Sequence, residues 1–305
     1  MSVALSVRTL PGATPVSAAQ RSIWESVRYR VLLPLTARSR RAGALYAKMC
    51  AAMEWRLDAQ RRDVAVRRIE RCLGVDARRA SDIFWRALAS EAREEADTRW
   101  FMGHPRALHN AFHVPSAACP DAGPAVWATL HLGSPGFAFV YLRCLRGIDV
   151  RMVARPLDQS NPMHEAKRAW GRRKVHWLEQ VTDAAFLGVS AEATSVARSH
   201  VVRGGSLFLS IDVPGDIVAR SIELDLLGER VRLALGAFQL AAMLGVPIRP
   251  IVALPRETAF EVRYGQAIEP VRSGLPTQAI EAAIGGVVQE FPDEWWLWPY
   301  LPAAA

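Results

Sequence analysis

His131 closes an apolar run and precedes a turn, Gly133-Ser134-Pro135-Gly136, within the stretch ATLHLGSPGFAFVYL (128–142). The preceding segment AVWATLHL reads as a strand, Ser134 suits a helix N-cap and Pro135 the first helical position. His131 is therefore expected at the C-terminal edge of a strand, beside a helix N-terminus, where open α/β sheets gather their sites. An imidazole there is a candidate general base, because its ordinary pKa lies near neutrality. Taken alone, a histidine in such a loop is more often a hydrogen-bonded structural residue, so its context has to decide.

An acid is the natural companion of such a base. Asp212 ends the strand-like segment SLFLSID, and parallel strands bring their C-terminal ends to one edge, so Asp212 could hold the second ring nitrogen of His131. The alternative role, capping a loop or pairing with an arginine, has equal weight at this point. Asp158 and Glu192 stand behind it as acids. His104, His109 and His113 lie close together, yet no carboxylate or cysteine pattern accompanies them, so they are read as loop histidines and no metal site is expected. The run Arg172-Arg173-Lys174 is read as a solvated helix end in preference to a phosphate clamp. Trp295, Trp296 and Trp298 are too dense for a surface segment and are expected to pin the C-terminus to the core, with an aromatic site wall as the lesser alternative. No GxGxxG, P-loop or CxxC motif occurs, so nucleotide and zinc chemistry have no foothold and no cofactor is expected.

The elements that must position these residues fall into two textures. Residues 1–20 are rich in small polar residues, alanine and proline and are expected to form a flexible tail. From 21 to 100 apolar residues recur at helical spacing among arginines and glutamates, which predicts an N-terminal helical arm. From 101 to 305 short apolar strands alternate with helical segments, which predicts an α/β domain with a mixed, largely parallel sheet flanked by helices. Arm and α/β region are expected to form one structural unit. The segments AVWATLHL, IDVRMVAR, KVHWLE, GSLFLSID, VPIRPIVAL and AFEVRYGQAI read as strands. Those reading GFAFVYLRCLRG, NPMHEAKRAWGRR, AEATSVARSHVVRGG and LALGAFQLAAMLG read as helices.

Composition narrows the classes further. Half of the 305 residues are apolar, enough for a sizeable core, and the net charge of +8 favours an acidic partner. Charge is the sole support for nucleic acid, so none is expected as partner. Cys50, Cys72, Cys119 and Cys144 are far apart and read as reduced core thiols of a cytoplasmic protein. The apolar stretches 122–142 and 233–248 are broken by prolines, glycine and polar residues, so no spanning helix is expected. The segment RVLLPLTARSRR sets an apolar patch beside Arg38, Arg40 and Arg41. It reads first as a partly buried helix with a solvated basic end, and second as a peripheral contact with the inner membrane.

The order HLGSPGFA, VARPLDQSNPMHEAKRAWGRRK, GGSLFLSIDVPG, LGERVRLALGAFQLAAMLGVPIRPIVAL and FPDEWWLWPYLP resembles the lipid A biosynthesis acyltransferase family, the lauroyl and myristoyl transferases of the lysophospholipid acyltransferase superfamily. The resemblance covers roughly the last two-thirds of the chain. It implies that His131, matching the histidine of the family's His-x4-Asp/Glu motif, deprotonates an acceptor for attack on an acyl thioester, and that Gly133 matches the motif's glycine. It implies that Arg155, in Arg-Pro-Leu, holds phosphate or the oxyanion. It sets Asp212 at the family's Asp-Gln strand end, although Val213 replaces the glutamine, and makes the region from Gly236 to Ile251 the wall of an acyl pocket.

Two departures qualify that likeness. Gly136 stands where the family carries its carboxylate, and the membrane helix that family members usually carry before the arm is missing. The expected protein is a divergent soluble acyltransferase with catalytic His131 and Asp212 and with Arg155, Ser134 and Gly133 at the substrate. Its donor would be an acyl carrier protein or acyl-CoA, and its acceptor a small molecule or lipid. A Gly136→Glu substitution is expected to restore part of the activity of an Asp212→Asn variant. A non-catalytic relative that binds an acyl chain or acyl carrier protein is the other reading, supported by Gly136.

Overall fold

A computed structural model describes residues 18–113, 123–159, 161, 163–215, 218, 220–270 and 275–300; Cys119, Pro162 and the tail through residue 17 lie outside them. The arm begins with α1 (Ala18–Val27), continues through a π turn (Arg28–Leu32) into α2 (Leu33–Leu35) and ends in a 3-10 turn (Thr36–Arg38). Three longer helices follow: α3 (Arg40–Leu57), α4 (Ala59–Leu73) and α5 (Ala77–Gly103). Each starts where a side chain caps it, since Ser39, Asp58 and Asp76 accept from the backbone N–H groups of Ala42, Arg61 and Arg79. Helix α4 stops at Gly74, whose left-handed φ of 63° is the usual glycine solution for a helix end.

Buried charges weld the arm together. Arg28 pairs with Glu95 at 2.9 Å and Glu54 at 3.2 Å, while Tyr29 and Tyr46 donate to the Glu95 carboxylate at 2.6 and 2.8 Å. The long α5 also reaches into the α/β region: Arg93 donates to the carbonyl of Arg256 and Lys167 pairs with Glu91.

The α/β region runs β1 (Phe112–His113), β2 (Val126–Thr129), α6 (Pro135–Val140), β3 (Val150–Ala154), α7 (Glu165–Thr182), β4 (Leu187–Gly188), α8 (Ala191–Val202) and β5 (Ser206–Ser210). It continues through β6 (Ser221–Leu226), β7 (Glu229–Ala234), α9 (Gly236–Leu244), β8 (Ile248–Pro255), β9 (Phe260–Tyr264) and α10 (Thr277–Glu290). Seven strands form one sheet in the order β1-β9-β8-β2-β5-β3-β4, with parallel pairs everywhere except the antiparallel β8–β9 pair. The expected mixed, largely parallel α/β sheet with a helical arm is present. Its central strands β2 and β5 are buried on both faces, as parallel strands must be when helices cover each side. Val126, Ala128 and Leu207 face a core shared with α4, α5 and α10, while Trp127 and Phe208 face a second core shared with α6 and α7.

Two local readings are corrected. KVHWLE is not a strand but the second half of α7, where Ala166, Trp170, Trp177 and Leu178 are buried at helical spacing. A run of six residues with a tryptophan and a valine satisfies either period, and the apolar residues upstream decide it. The β6–β7 hairpin escaped the sequence reading, and it takes Leu233 and Ala234, the first two residues of LALGAFQLAAMLG, into a strand. Its signal was the alternation in SIELDLLGERVRLA around a two-residue turn, where Leu227 and Gly228 adopt φ values of 56° and 77°. Helix α10 was not anticipated either. Among the described residues no helix is long and apolar enough to cross a membrane, and Cys50, Cys72 and Cys144 are free thiols.

Candidate active site

Parallel strands β2 and β5 pair Val126 with Leu207 and Thr129 with Ser210; carried on by two residues, that register sets His131 opposite Asp212. The Asp212 carboxylate is fully buried. One of its oxygens, Oδ2, accepts from the backbone N–H of His131 at 2.7 Å and from the Trp295 indole N–H at 2.9 Å. The other, Oδ1, lies 2.8 Å from His131 Nδ1. A carboxylate can only accept there, so Nδ1 carries the proton and Nε2 is left with a free lone pair. No described residue bonds to Nε2, and the imidazole side chain is 36% exposed. The pair is thus an oriented base whose second nitrogen is not engaged by any described residue.

Electrostatics holds the imidazole above its ordinary pKa. Burial pulls it down, but the charge and hydrogen bond of Asp212, helped by the charge of Glu91 and opposed by that of Lys174, outweigh burial. Both of these neighbours come from helices beside the sheet edge. Glu91 on α5 pairs with Lys167 at 3.1 Å; burial raises its pKa, but Lys167, Arg61 and Arg28 hold it well below the usual carboxylate range. Lys174 on α7 donates to the buried Glu94, so the Arg172-Arg173-Lys174 run is not simply a solvated helix end. Glu94 itself is pushed up by burial against the pull of Lys174.

The loop carrying His131 is clamped from two sides. The C-terminal segment supplies Trp296 N–H to the His131 carbonyl at 2.9 Å and the Glu294 carbonyl to Gly133 N–H at 3.0 Å. From β8, the Ala253 carbonyl accepts from Ser134 N–H at 2.8 Å. Gly133 has a φ of +60°, and a Cβ there would come within 2.6 Å of the Ala253 oxygen. Gly133→Ala is therefore expected to destabilise the fold by about 2 kcal/mol or more, through backbone strain plus a clash with another backbone. Chemical denaturation checks this, and a variant as stable as wild type would show that the loop can open without loss.

Ser134 occupies the N-cap position of α6 and Pro135 its first turn, as expected, but the serine side chain makes no capping bond. Its Oγ is buried and has no hydrogen-bond partner. Arg155 follows β3 and is exposed, with no hydrogen bond or ion pair among the described residues. The register Met152–Phe208–Trp127 sets it level with Leu130, two strands from β2. At strand spacings of about 4.8 Å, that is roughly 10 Å across the sheet edge from His131. Asp158 and Glu192 are exposed, and it is Asp212 that holds the imidazole. His104 stacks on Trp100, His109 and His113 lie in a 3-10 turn and a strand, and no metal-competent cluster occurs among the described residues.

Gly136 faces the Glu94–Lys174 pair. A Cβ there would lie 3.5 Å from Glu94 Oε1, 3.5 Å from Lys174 Cε and 3.6 Å from Leu178. The space around the vacant motif position thus already holds a carboxylate, delivered by α5. This reverses the expected rescue: Gly136→Glu would press a second carboxylate against a buried first one that has a single lysine to share. The substitution is expected to lower stability by about 2 kcal/mol or more and to restore nothing to an Asp212→Asn variant. Denaturant melts of the single variant and transfer assays of the double variant check both statements.

Trp295 and the Glu94–Lys174 pair are the site residues that sequence reasoning missed. Trp295 was read as a core anchor, which its burial supports, yet its indole N–H also fixes Asp212. For Glu94 a signal existed: Glu91, Glu94 and Glu95 recur at helical spacing on α5, and the latter two face inward with the buried Ala92 and Ala96. Glu294, beside Trp295, is a further, partly buried acid. Burial, opposed by its bond from Ser90, pushes its pKa up from 4.5 to about 7. The folded state then keeps a proton that the unfolded chain has released, so stability falls as pH rises from 4.5 to about 7. Glu294→Gln is expected to flatten that part of the profile and to melt higher than wild type above pH 7. Identical pH profiles would contradict this.

A cavity of about 360 Å³ lies on the α10 side of the sheet, walled by Leu130, Ile211 and Val252 from the strands and by Ala282, Ala283 and Gly286 from α10. Leu130 and Ile211 directly precede His131 and Asp212. Within the region from Gly236 to Ile251, only Pro250 and Ile251 line this cavity; α9 instead borders a void of about 10 Å³ through Phe238, Ala241 and Ala242. No protein-family model matches the chain, and no curated protein matches it at a significant level.

Proposed function

We propose that this protein is an acyltransferase, a divergent relative of the lipid A biosynthesis acyltransferases, in which His131 acts as general base. The observation that carries the reading is the His131–Asp212 pair, with Nδ1 held by a buried carboxylate and Nε2 open. In the reaction Nε2 takes the proton of an acceptor hydroxyl or amine as its oxygen or nitrogen attacks the thioester carbonyl. The C–S bond then breaks, and the thiolate leaves with the proton from the imidazolium. Asp212 steadies that imidazolium between the two transfers. Arg155, exposed after β3 near the same sheet edge, would hold a phosphate of the donor, an acyl carrier protein or acyl-CoA. The cavity beside the pair has an apolar wall of Leu130, Ile211, Val252, Ala282 and Ala283 on which an alkyl chain would lie, with Arg263, Gln266 and Glu290 also in its lining. Incubating the protein with acyl-CoA and acyl carrier protein thioesters, together with candidate amines and alcohols, and weighing the products tests this. Release of free thiol with an acylated acceptor supports it, and no turnover with any thioester sinks it.

Gly136 favours a second reading, a non-catalytic protein that binds an acyl chain or acyl carrier protein. Retention of a long acyl group by the purified protein without turnover would select it.

A further inference from the structure

Among the described residues, half of the large apolar side chains left exposed lie between residues 23 and 49. Ile23, Val27, Val31 and Leu35 are 65%, 38%, 55% and 46% exposed, spaced four apart along α1, the π turn and α2. The opposite side of the same run buries Trp24, Arg28, Tyr29 and Leu33. In an α-helix, positions four apart drift by about 40° per step, because a turn takes 3.6 residues. The π turn, closed by Leu33 N–H on the Arg28 carbonyl, spans an extra residue and takes back part of that drift. The four side chains therefore form a straight stripe where an uninterrupted α-helix would wind them around its axis. On α3, Leu45 and Met49 repeat the spacing at 61% and 39% exposure.

The exposed charges within this stretch of the chain have one sign. Arg30, Arg38, Arg41 and Lys48 are exposed, whereas the only acids in residues 18–57 are Glu54, buried among Arg21 and Arg28, and the partly buried Glu25. We infer that this face of the arm docks on an anionic lipid surface, with the aliphatic stripe in the headgroup boundary and the basic side chains on lipid phosphates. The chemistry favours lipid over a protein partner. Protein interfaces concentrate their binding energy in tryptophan, tyrosine and directional contacts, whereas this stripe offers only branched aliphatics, and Leu and Val are under-represented among interface hot spots. A row of aliphatic side chains flanked by arginines suits a fluid boundary that makes no directional demands, and the long basic side chains reach outward past it.

The inference is independent of the proposed catalytic role and is tested on the full chain. The protein is mixed with vesicles of phosphatidylcholine alone and of phosphatidylcholine with phosphatidylglycerol, and sedimented with them at low and high salt. Binding is expected to the mixed vesicles, weaker at high salt as the basic contacts are screened. The exposed substitutions Val31→Glu/Leu35→Glu, and separately Arg38→Glu/Arg41→Glu, are each expected to weaken it at least about tenfold with melting temperature unchanged. Hydrolysis or transfer of a water-soluble thioester, if present, is expected to be unaltered in both. Absence of binding to the mixed vesicles, or binding that neither substitution weakens, overturns the inference. So does a protein dimer that Val31→Glu/Leu35→Glu dissociates while vesicles go unbound, which would assign the stripe to a second copy of the chain.

Discussion

Replacing His131 with alanine is expected to lower acyl transfer at least about 10²-fold, the usual size of a general-base contribution. The fold should survive, because the backbone N–H of residue 131 keeps its bond to Asp212 and Trp296 keeps its bond to the carbonyl, neither of which needs the ring. The pH dependence adds a second readout. Burial lowers the imidazole pKa, but Asp212 and Glu91 raise it more, so the free base appears only above the ordinary histidine value of 6.5. Wild-type transfer should therefore climb with pH through a midpoint above 6.5, and the residual rate of His131→Ala should lack that step. Stability follows the same linkage with a definite sign. A histidine whose folded pKa is raised contributes stability that is fully present below its unfolded pKa and is lost as pH rises through the folded one. The stability gap between wild type and His131→Ala should accordingly be widest in acid and close in alkali. Unchanged transfer by a folded His131→Ala protein would remove the proposed mechanism.

The parts of this site that sequence reasoning reached are those governed by local rules. A strand ending at a glycine turn, with proline one residue into the next helix, sets His131 at a sheet edge, and the SLFLSID strand sets Asp212 at the same edge once the two run parallel. That they are immediate neighbours is a fact of strand order, and nothing in the residues of β2 or β5 specifies it. The misread segments failed for a physical reason of the same kind. KVHWLE satisfies helix and strand periods equally over six residues, and its helical state is decided by the buried Trp170 and Ala166 upstream. Trp295 and Glu94 reach the site from the end of the chain and from the arm, at sequence separations of 83 from Asp212 and 80 from Lys174. Contacts of that range leave no periodic trace. What could be read was their burial, in a dense aromatic run and in acids on the inward face of a helix.

Asp212→Asn is expected to lower turnover by up to about 10⁴-fold, as when the aspartate of a serine-protease triad becomes asparagine, and by no more than His131→Ala does, since it acts only through the imidazole. Its geometry explains why a change of one atom matters. Oδ2 already accepts from the His131 backbone N–H at 2.7 Å and the Trp295 indole at 2.9 Å, and only an oxygen can do that. The asparagine oxygen must take that place, which turns the amide NH₂ toward His131 Nδ1. The imidazole then has to accept at Nδ1 and carry its proton on Nε2, the atom that should receive one, so the base is present but in the wrong tautomer. Folding suffers much less, since both buried donors keep an acceptor; about 1–2 kcal/mol is the expected loss. Asp212→Ala should be costlier, because it strands two donors in a fully buried site. The side chain is inaccessible to any ligand, so donor affinity should hold while turnover collapses. With the carboxylate charge gone, the midpoint of whatever activity remains should move to lower pH. Steady-state kinetics across pH, with donor binding measured separately, distinguishes this from a general loss of structure. Transfer at the wild-type rate would make Asp212 a structural cap for the loop, leaving His131 to act without an orienting acid.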